Sequence, residues 1–145
     1  QEKEVFFFFL ELGIGFVPYA PLGRGILTGA FSKNDTFDSS DYRSTLPRYN
    51  KENFQKNIAM AEFVGKLAKD KGVTPPQVAL GWLLAQKEWI VPIPGTKRIN
   101  RLRENIGGGN VLFSEKELDS IRKELEKMEV HGEQYPADQA RMTNQ

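Results

Sequence analysis

The chain has 145 residues, with 20 Lys and Arg against 19 Asp and Glu, a formal net charge of +1, one His and no Cys. That length suits one modest domain, and the balanced charge gives no global electrostatic case for nucleic acid or an anionic membrane. Without Cys there are no disulfides, thiolate ligands or thiol nucleophiles, and a single His, His131, excludes a two-His metal site within one chain.

Residues 2–12 read as a helix stopped by Gly13. Its run Phe6-Phe7-Phe8-Phe9 covers every side of a helix, so at least one ring should face solvent. An interface through which the chain self-associates, a dense local core and an anomaly of the sequence itself all fit that run. The start Gln1-Glu2-Lys3-Glu4 lacks the basic opening of a secretion signal, and no apolar run approaches the roughly 20 residues that span a bilayer. Together with the absence of Cys, this leads us to expect a cytoplasmic protein with no membrane partner.

Residues 14–18 read as a strand. Residues 19–50, rich in Gly, Pro, Asp, Ser and Asn, read as a long loop, which in a compact domain is usually functional or disordered. Its Asp35, Asp38 and Asp41 lack the ligand alternation and closing Glu of a calcium loop, so they read as turn and cap residues. Ser39 and Ser40 have no elbow motif and no nearby His, which leaves a hydrolase triad without support.

Met60, Phe63, Val64 and Leu67 recur at helical spacing and predict an amphipathic helix over 51–71, ended by Gly72. Thr74, Pro75 and Gln77 form a capping signature for a second helix, reaching about Gln86. That helix is apolar almost all round and calls for burial on more than one side. A second strand is expected at 90–93. Ile99, Leu102 and Ile106 give the next helix one apolar stripe. Ser114 and Glu117 open a last helix to about Met128, with Leu118, Ile121, Leu125 and Met128 on its inner face. The tail from Glu129 is polar and aperiodic.

The chemistry concentrates in Val91-Pro92-Ile93-Pro94-Gly95-Thr96-Lys97-Arg98, followed by Arg101, Glu104 and Asn105. A helix start attracts anions, yet here Lys97, Arg98 and Arg101 add positive charge to the positive end of the dipole. A bound phosphate offsets that conflict; solvated loop cations fit the local sequence equally well. Upstream, Gly15-Phe16-Val17-Pro18-Tyr19-Ala20-Pro21-Leu22-Gly23-Arg24-Gly25 is another strand that stops at a turn. The spacing of Gly23, Gly25 and Gly29 is a near miss for a dinucleotide fingerprint, because Thr28 stands where the third Gly belongs.

These two stretches, together with Thr74-Pro75-Pro76-Gln77-Val78-Ala79-Leu80-Gly81-Trp82-Leu83-Leu84, resemble the C-terminal part of an aldo-keto reductase, in the family's order and at about its spacing. The resemblance implies an α/β fold: the end of a (β/α)₈ TIM barrel, with 14–18 as strand seven and 90–93 as strand eight, two parallel strands among helices. Such barrels run to about 250 residues, so the barrel is expected to be incomplete in this chain. The family's catalytic Asp, Tyr, Lys and His fall on segments without a counterpart here.

What the resemblance does carry over is a cradle for NADP(H). Tyr19 corresponds to the aromatic that stacks on the nicotinamide. Ala20 (often Ser in the family), Leu22, Gly23 and Arg24 lie on the loop that passes the pyrophosphate. Gly95 (Lys in some branches), Thr96, Lys97 and Arg101 surround the 2′-phosphate, and Glu104 and Asn105 contact the adenosine. A Glu104–Arg101 surface pair is the plain alternative for Glu104. The implied activity is hydride transfer between NADPH and a small-molecule carbonyl, with Tyr135 and Met142 of the tail near the substrate. A working reductase part, a non-catalytic nucleotide-binding or regulatory module, and a self-associating fragment remain open.

Overall fold

The computed structural model describes residues 2–141, with side chains from Phe6 onward; Met142 lies outside the described residues. The α-helices are α1 (Glu2–Leu12), α2 (Lys51–Lys71), α3 (Pro75–Leu84), α4 (Ile99–Gly107), α5 (Glu115–Leu125) and α6 (Ala137–Ala140).

Helix starts follow local hydrogen bonding. The Asn50 side chain accepts the Asn53 N–H at 2.8 Å and opens α2. The Thr74 N–H donates to Gln77 Oε1 at 3.1 Å ahead of α3. Ser114 and Glu117 close the reciprocal box at the start of α5, with N–H donors at 2.8 and 3.3 Å. The end of α5 departs from expectation. It stops at Leu125, where the chain tightens into three-residue turns: the Lys127 N–H bonds Glu124 O and the Met128 N–H bonds Leu125 O.

The expected strands contract to one parallel bridge between Phe16 and Ile90. Phe16 donates to Trp89 O at 2.8 Å and accepts from Val91 N–H at 2.9 Å. A two-stranded ladder without further neighbours has little to hold it, so only the best-buried pair survives. Helix α1 covers this bridge from one side. Phe6 and Phe9 meet Phe16 at ring-centroid distances of 5.1 and 5.7 Å and Trp89 at 5.4 and 6.3 Å. Phe7 and Phe8 face outward, 60% and 57% exposed, as four consecutive rings on one helix require.

The buried stripe of α2 is Phe54, Ile58, Ala61, Val64 and Ala68, rotated from the one the large apolar residues suggest. Ala61 and Ala68 permit close approach, while Met60, Phe63 and Leu67 line the flank toward α3 and α5. Residues 19–50 are not a plain loop. Three 3₁₀ turns (Gly23–Thr28, Tyr42–Thr45, Pro47–Tyr49) punctuate them. Their Leu46 and Tyr49 are buried with Phe54 and Ile58, and Ile26, Phe31 and Phe37 pack against that cluster. Helix α3 buries Val78, Ala79, Leu80 and Gly81 against α2 and the turn at 108–110. The burial on more than one side that its sequence calls for is supplied by these neighbours.

Helix α4 reverses the sequence reading. Its stripe Ile99, Leu102 and Ile106 faces outward, 64%, 44% and 67% exposed, whereas Asn105 is buried. The cause is the approach to α3. Gly108 sits so close to Leu80 and the Gln77 carbonyl that only a side-chain-free backbone fits there. The polar and glycine face is therefore the one turned inward.

Candidate functional site

A cleft of about 580 Å³ opens between the turn after Phe16 and the turn that leads into α4, a size typical of small-molecule sites. Ala20, Pro21, Leu22, Arg24 and Gly25 make one wall. Here the chain turns twice through left-handed backbone at non-glycine residues, with φ of 50° at both Ala20 and Arg24. Each such residue costs about 1–3 kcal/mol and persists only where neighbours hold it. The holds are visible: Gly23 N–H to Ala20 O at 2.8 Å, Gly25 N–H to Leu22 O at 3.0 Å, and Arg43 Nη1 to Arg24 O at 3.3 Å. The buried Tyr49 hydroxyl also donates to the Gly23 carbonyl.

Pro94, Gly95, Thr96, Arg101, Glu104 and Asn105 make the opposite wall. The Arg98 N–H donates to Thr96 Oγ1 at 3.2 Å, which leaves the threonine hydroxyl proton available to an acceptor. Arg98, the N-cap of α4, makes no side-chain cap bond. The first N–H groups of that nine-residue helix thus lack a capping side chain at its positive end. Among the described residues, Lys97, Arg98 and Arg101 join no ion pair, so Glu104 is not tied to Arg101. Asn105, only 8% exposed, lines the cleft, and no hydrogen bond engages its side chain among the described residues.

Ala20, Leu22, Arg24, Gly95, Thr96, Arg101, Glu104 and Asn105 thus share one cleft, although Arg24 and Arg101 lie far apart in sequence. Three expected residues stand apart. Tyr19 is 66% exposed and outside the lining, its ring 5.8 Å from the Arg24 guanidinium. Gly23 lines a separate hollow of about 370 Å³ behind the loop, and Lys97 projects into solvent. Tyr42 and Tyr135 also approach the Arg24 guanidinium, at 6.0 and 5.4 Å, and the Tyr42 hydroxyl bonds Gln139 at 2.8 Å. The tail is pinned a second time where Asn57 exchanges hydrogen bonds with the backbone of His131.

Arg43 also lines the cleft and escaped the sequence reading. Its fork engages Asp41, with Nε at 3.0 Å and Nη2 at 2.5 Å. The Arg43 side chain, then its backbone N–H, holds the Asp41 carboxyl down at about 2. The signal was the spacing Asp-x-Arg in the long loop, where Asp41 read only as a cap. That cap role is real as well, since Asp41 accepts the Arg43 N–H at 2.9 Å.

Cations on both sides, a helix start without a side-chain cap and an amide with no protein partner form a donor set suited to a phosphorylated ligand. A Cβ at Gly95 would meet nothing within 4 Å, so the mouth is open at that point. Among the described residues, no group of three His, Asp or Glu could hold a metal ion.

Comparison with known proteins gives the family. The model of the aldo/keto reductase family matches residues 1–126. The chain belongs to that family. It is 47% identical over 126 residues to the aldo-keto reductase yakc [NADP(+)] of Schizosaccharomyces pombe, covering 87% of this chain and 37% of the relative. It is 40% identical over 123 residues to the aldo-keto reductase str7 of Strobilurus tenacellus, covering 85% and 37%. The glycerol dehydrogenase AKR11B4 from Gluconobacter oxydans superimposes with a TM-score of 0.78 at 24% identity, over 88% of this chain and 38% of that one. The chain shares its α/β fold with that part of the dehydrogenase. It therefore spans little more than a third of the relatives it matches. Among the described residues of this aldo/keto reductase segment, no helix is long and apolar enough to cross a membrane.

Proposed function

We propose that this segment is the cofactor-gripping part of an NADP-dependent aldo-keto reductase of the cytoplasm, acting on a small-molecule carbonyl. In this reading it forms the last two strand–helix units of a barrel whose other segments carry the catalytic Asp, Tyr, Lys and His. The observation that carries the reading is the single cleft that joins Arg24 on one wall to Thr96, Arg101 and the α4 start on the other. The outward stripe Ile99, Leu102 and Ile106 supports the partial barrel, because so much apolar surface on one helix calls for a cover.

When bound, NADPH supplies a hydride to the carbonyl carbon. This chain binds and orients it. The Arg101 fork and the Thr96 hydroxyl hold the 2′-phosphate that separates NADPH from NADH. Glu104 and the unpartnered Asn105 amide face the adenosine. The turn from Ala20 to Gly25 brings its backbone close to the pyrophosphate, with Arg24 adding charge. Tyr19, exposed at the rim, offers a flat ring to the nicotinamide, and Lys97 adds long-range attraction for the phosphate.

The test is calorimetric titration of the chain with NADPH and NADH, repeated on Arg101→Ala. Losing one charge-assisted contact to phosphate costs about 1.5–3 kcal/mol, roughly tenfold to a hundredfold in Kd. NADPH should bind more tightly than NADH by about that margin, and Arg101→Ala should erase the difference. Equal affinities for both cofactors, unchanged in the variant, would remove the 2′-phosphate from this wall.

A further inference from the structure

The loop that carries Arg24 is braced from behind by a residue to which nothing above gives a role in binding. Arg43 sits in a fixed frame. Its fork is saturated on one side by Asp41. Its guanidinium lies over the rings of Phe31 and Phe37 at 4.9 and 4.5 Å. Both rings pack in turn against Phe54, one of the most buried side chains of the chain. The donor left over, Nη1, reaches the Arg24 carbonyl at 3.3 Å. At the other end of the same peptide, the Gly25 N–H bonds Leu22 O at 3.0 Å.

The Arg24–Gly25 peptide is therefore fixed at both its oxygen and its nitrogen, between residues with φ of 50° and 102°. Gly25 lies against the brace itself, since a Cβ there would stand 3.3 Å from Phe31 Cε2 and 3.5 Å from Arg43 Nη1. Because Asp41 already matches the Arg43 charge, attraction for a phosphate is a poor account of this arginine. Geometry is a better one.

We propose that Arg43 is a positioning residue: it transmits the rigidity of the Phe54 core to the Arg24–Gly25 peptide and so holds the loop in the shape that grips a dinucleotide's pyrophosphate. The inference rests on the cofactor reading above. A lysine cannot replace it, because an ammonium lacks the planar fork that bonds Asp41 and the Arg24 carbonyl at once.

The experiment titrates the chain, Arg43→Lys and Arg43→Met with two probes, NADPH and adenosine 2′-monophosphate. The monophosphate has no pyrophosphate and needs only the Thr96–Arg101 wall. Both variants should weaken NADPH by about tenfold or more while changing the monophosphate by less than about twofold. Unchanged NADPH affinity in both variants overturns the proposal. So does a parallel loss of both probes with a lowered melting temperature in Arg43→Lys, which would reduce Arg43 to a stability role. If the unsubstituted chain binds neither probe, the cofactor reading itself falls, and this inference with it; that result is distinguished by the silence of the parent chain.

Discussion

Two glycines in neighbouring helices should respond in opposite directions to the same substitution. Gly65 lies within α2, and a Cβ there would meet nothing within 4 Å. Gly65→Ala therefore gains helix propensity alone, about 0.5–1 kcal/mol. Gly81 lies within α3, where a Cβ would stand 2.8 Å from Val111 Cβ, 2.9 Å from Gly108 O and 3.2 Å from Val111 O. Two of those atoms are backbone carbonyls, so relief requires the 108–111 turn to move as a unit. Overpacking of that kind costs about 1–3 kcal/mol, and subtracting the same propensity gain leaves about 0.5–2 kcal/mol of net destabilisation. For a chain of this size that is a fall in Tm of about 2–8 °C, against a rise of about 2–4 °C for Gly65→Ala. Thermal unfolding followed by circular dichroism measures both. Because the displaced turn directly follows α4, Gly81→Ala should also weaken adenosine 2′-monophosphate at the Thr96–Arg101 wall, and Gly65→Ala should not. A Gly81→Ala chain as stable as the parent would refute the close approach of α3 to that turn.

Acid should destabilise the chain through two carboxylates. Asp41, held by the Arg43 side chain and then its backbone, lies at about 2 rather than 3.8. Glu117, held first by the Lys71 ammonium and then by Ser114, lies at about 2 rather than 4.5. A depressed carboxyl gives its full stabilisation above the ordinary pKa and loses it as pH falls through the folded value. Stability should therefore decline from about pH 4.5 down to about 2, and less steeply in Asp41→Asn and Glu117→Gln, as urea unfolding at stepped pH will show. Phe54, 1% exposed at the centre of the loop core, should cost about 3–5 kcal/mol as Phe54→Ala. Its removal should weaken NADPH as well, because Phe31 and Phe37 then lose the wall behind Arg43; calorimetry on the folded fraction reads that effect.

The starts of α3 and α5 and the stop of α2 were legible because they are local: Thr or Ser with Gln or Glu three residues on, or a stop glycine, acts within one turn. The walls of the cleft were legible only through family resemblance, since nothing local tells Arg24 that it faces Arg101. Three features stayed hidden because they depend on distant packing. The strands at 14–18 and 90–93 carry suitable residues, but pairing requires neighbours, and one bridge is what two isolated segments sustain. The loop core depends on Phe31, Phe37, Leu46 and Tyr49, spread without period and meeting only over Phe54 and Ile58. Arg43 drew no reading from the sequence, because its significance lies in a hydrogen bond to a residue nineteen positions away.

The inversion of α4 bears most directly on function. A helix whose apolar stripe points outward is normally misplaced, yet this one is held from behind by backbone proximity. A Cβ on Gly107 would collide with the Gln77 amide, and one on Gly108 would stand 2.9 Å from Leu80 Cβ. Such contacts fix position through shape rather than through apolar area, and they leave the buried face free for a polar group. That group is Asn105, lining the cleft with its amide unpartnered. A larger residue at 107 needs only the Gln77 side chain to swing aside, whereas one at 108 would press on Leu80 Cβ and the Gln77 backbone and push the end of α4 off α3. Under the proposed function, the outward stripe is the surface on which the rest of an aldo-keto reductase barrel would close, and the inner face and start of the same helix would meet the cofactor.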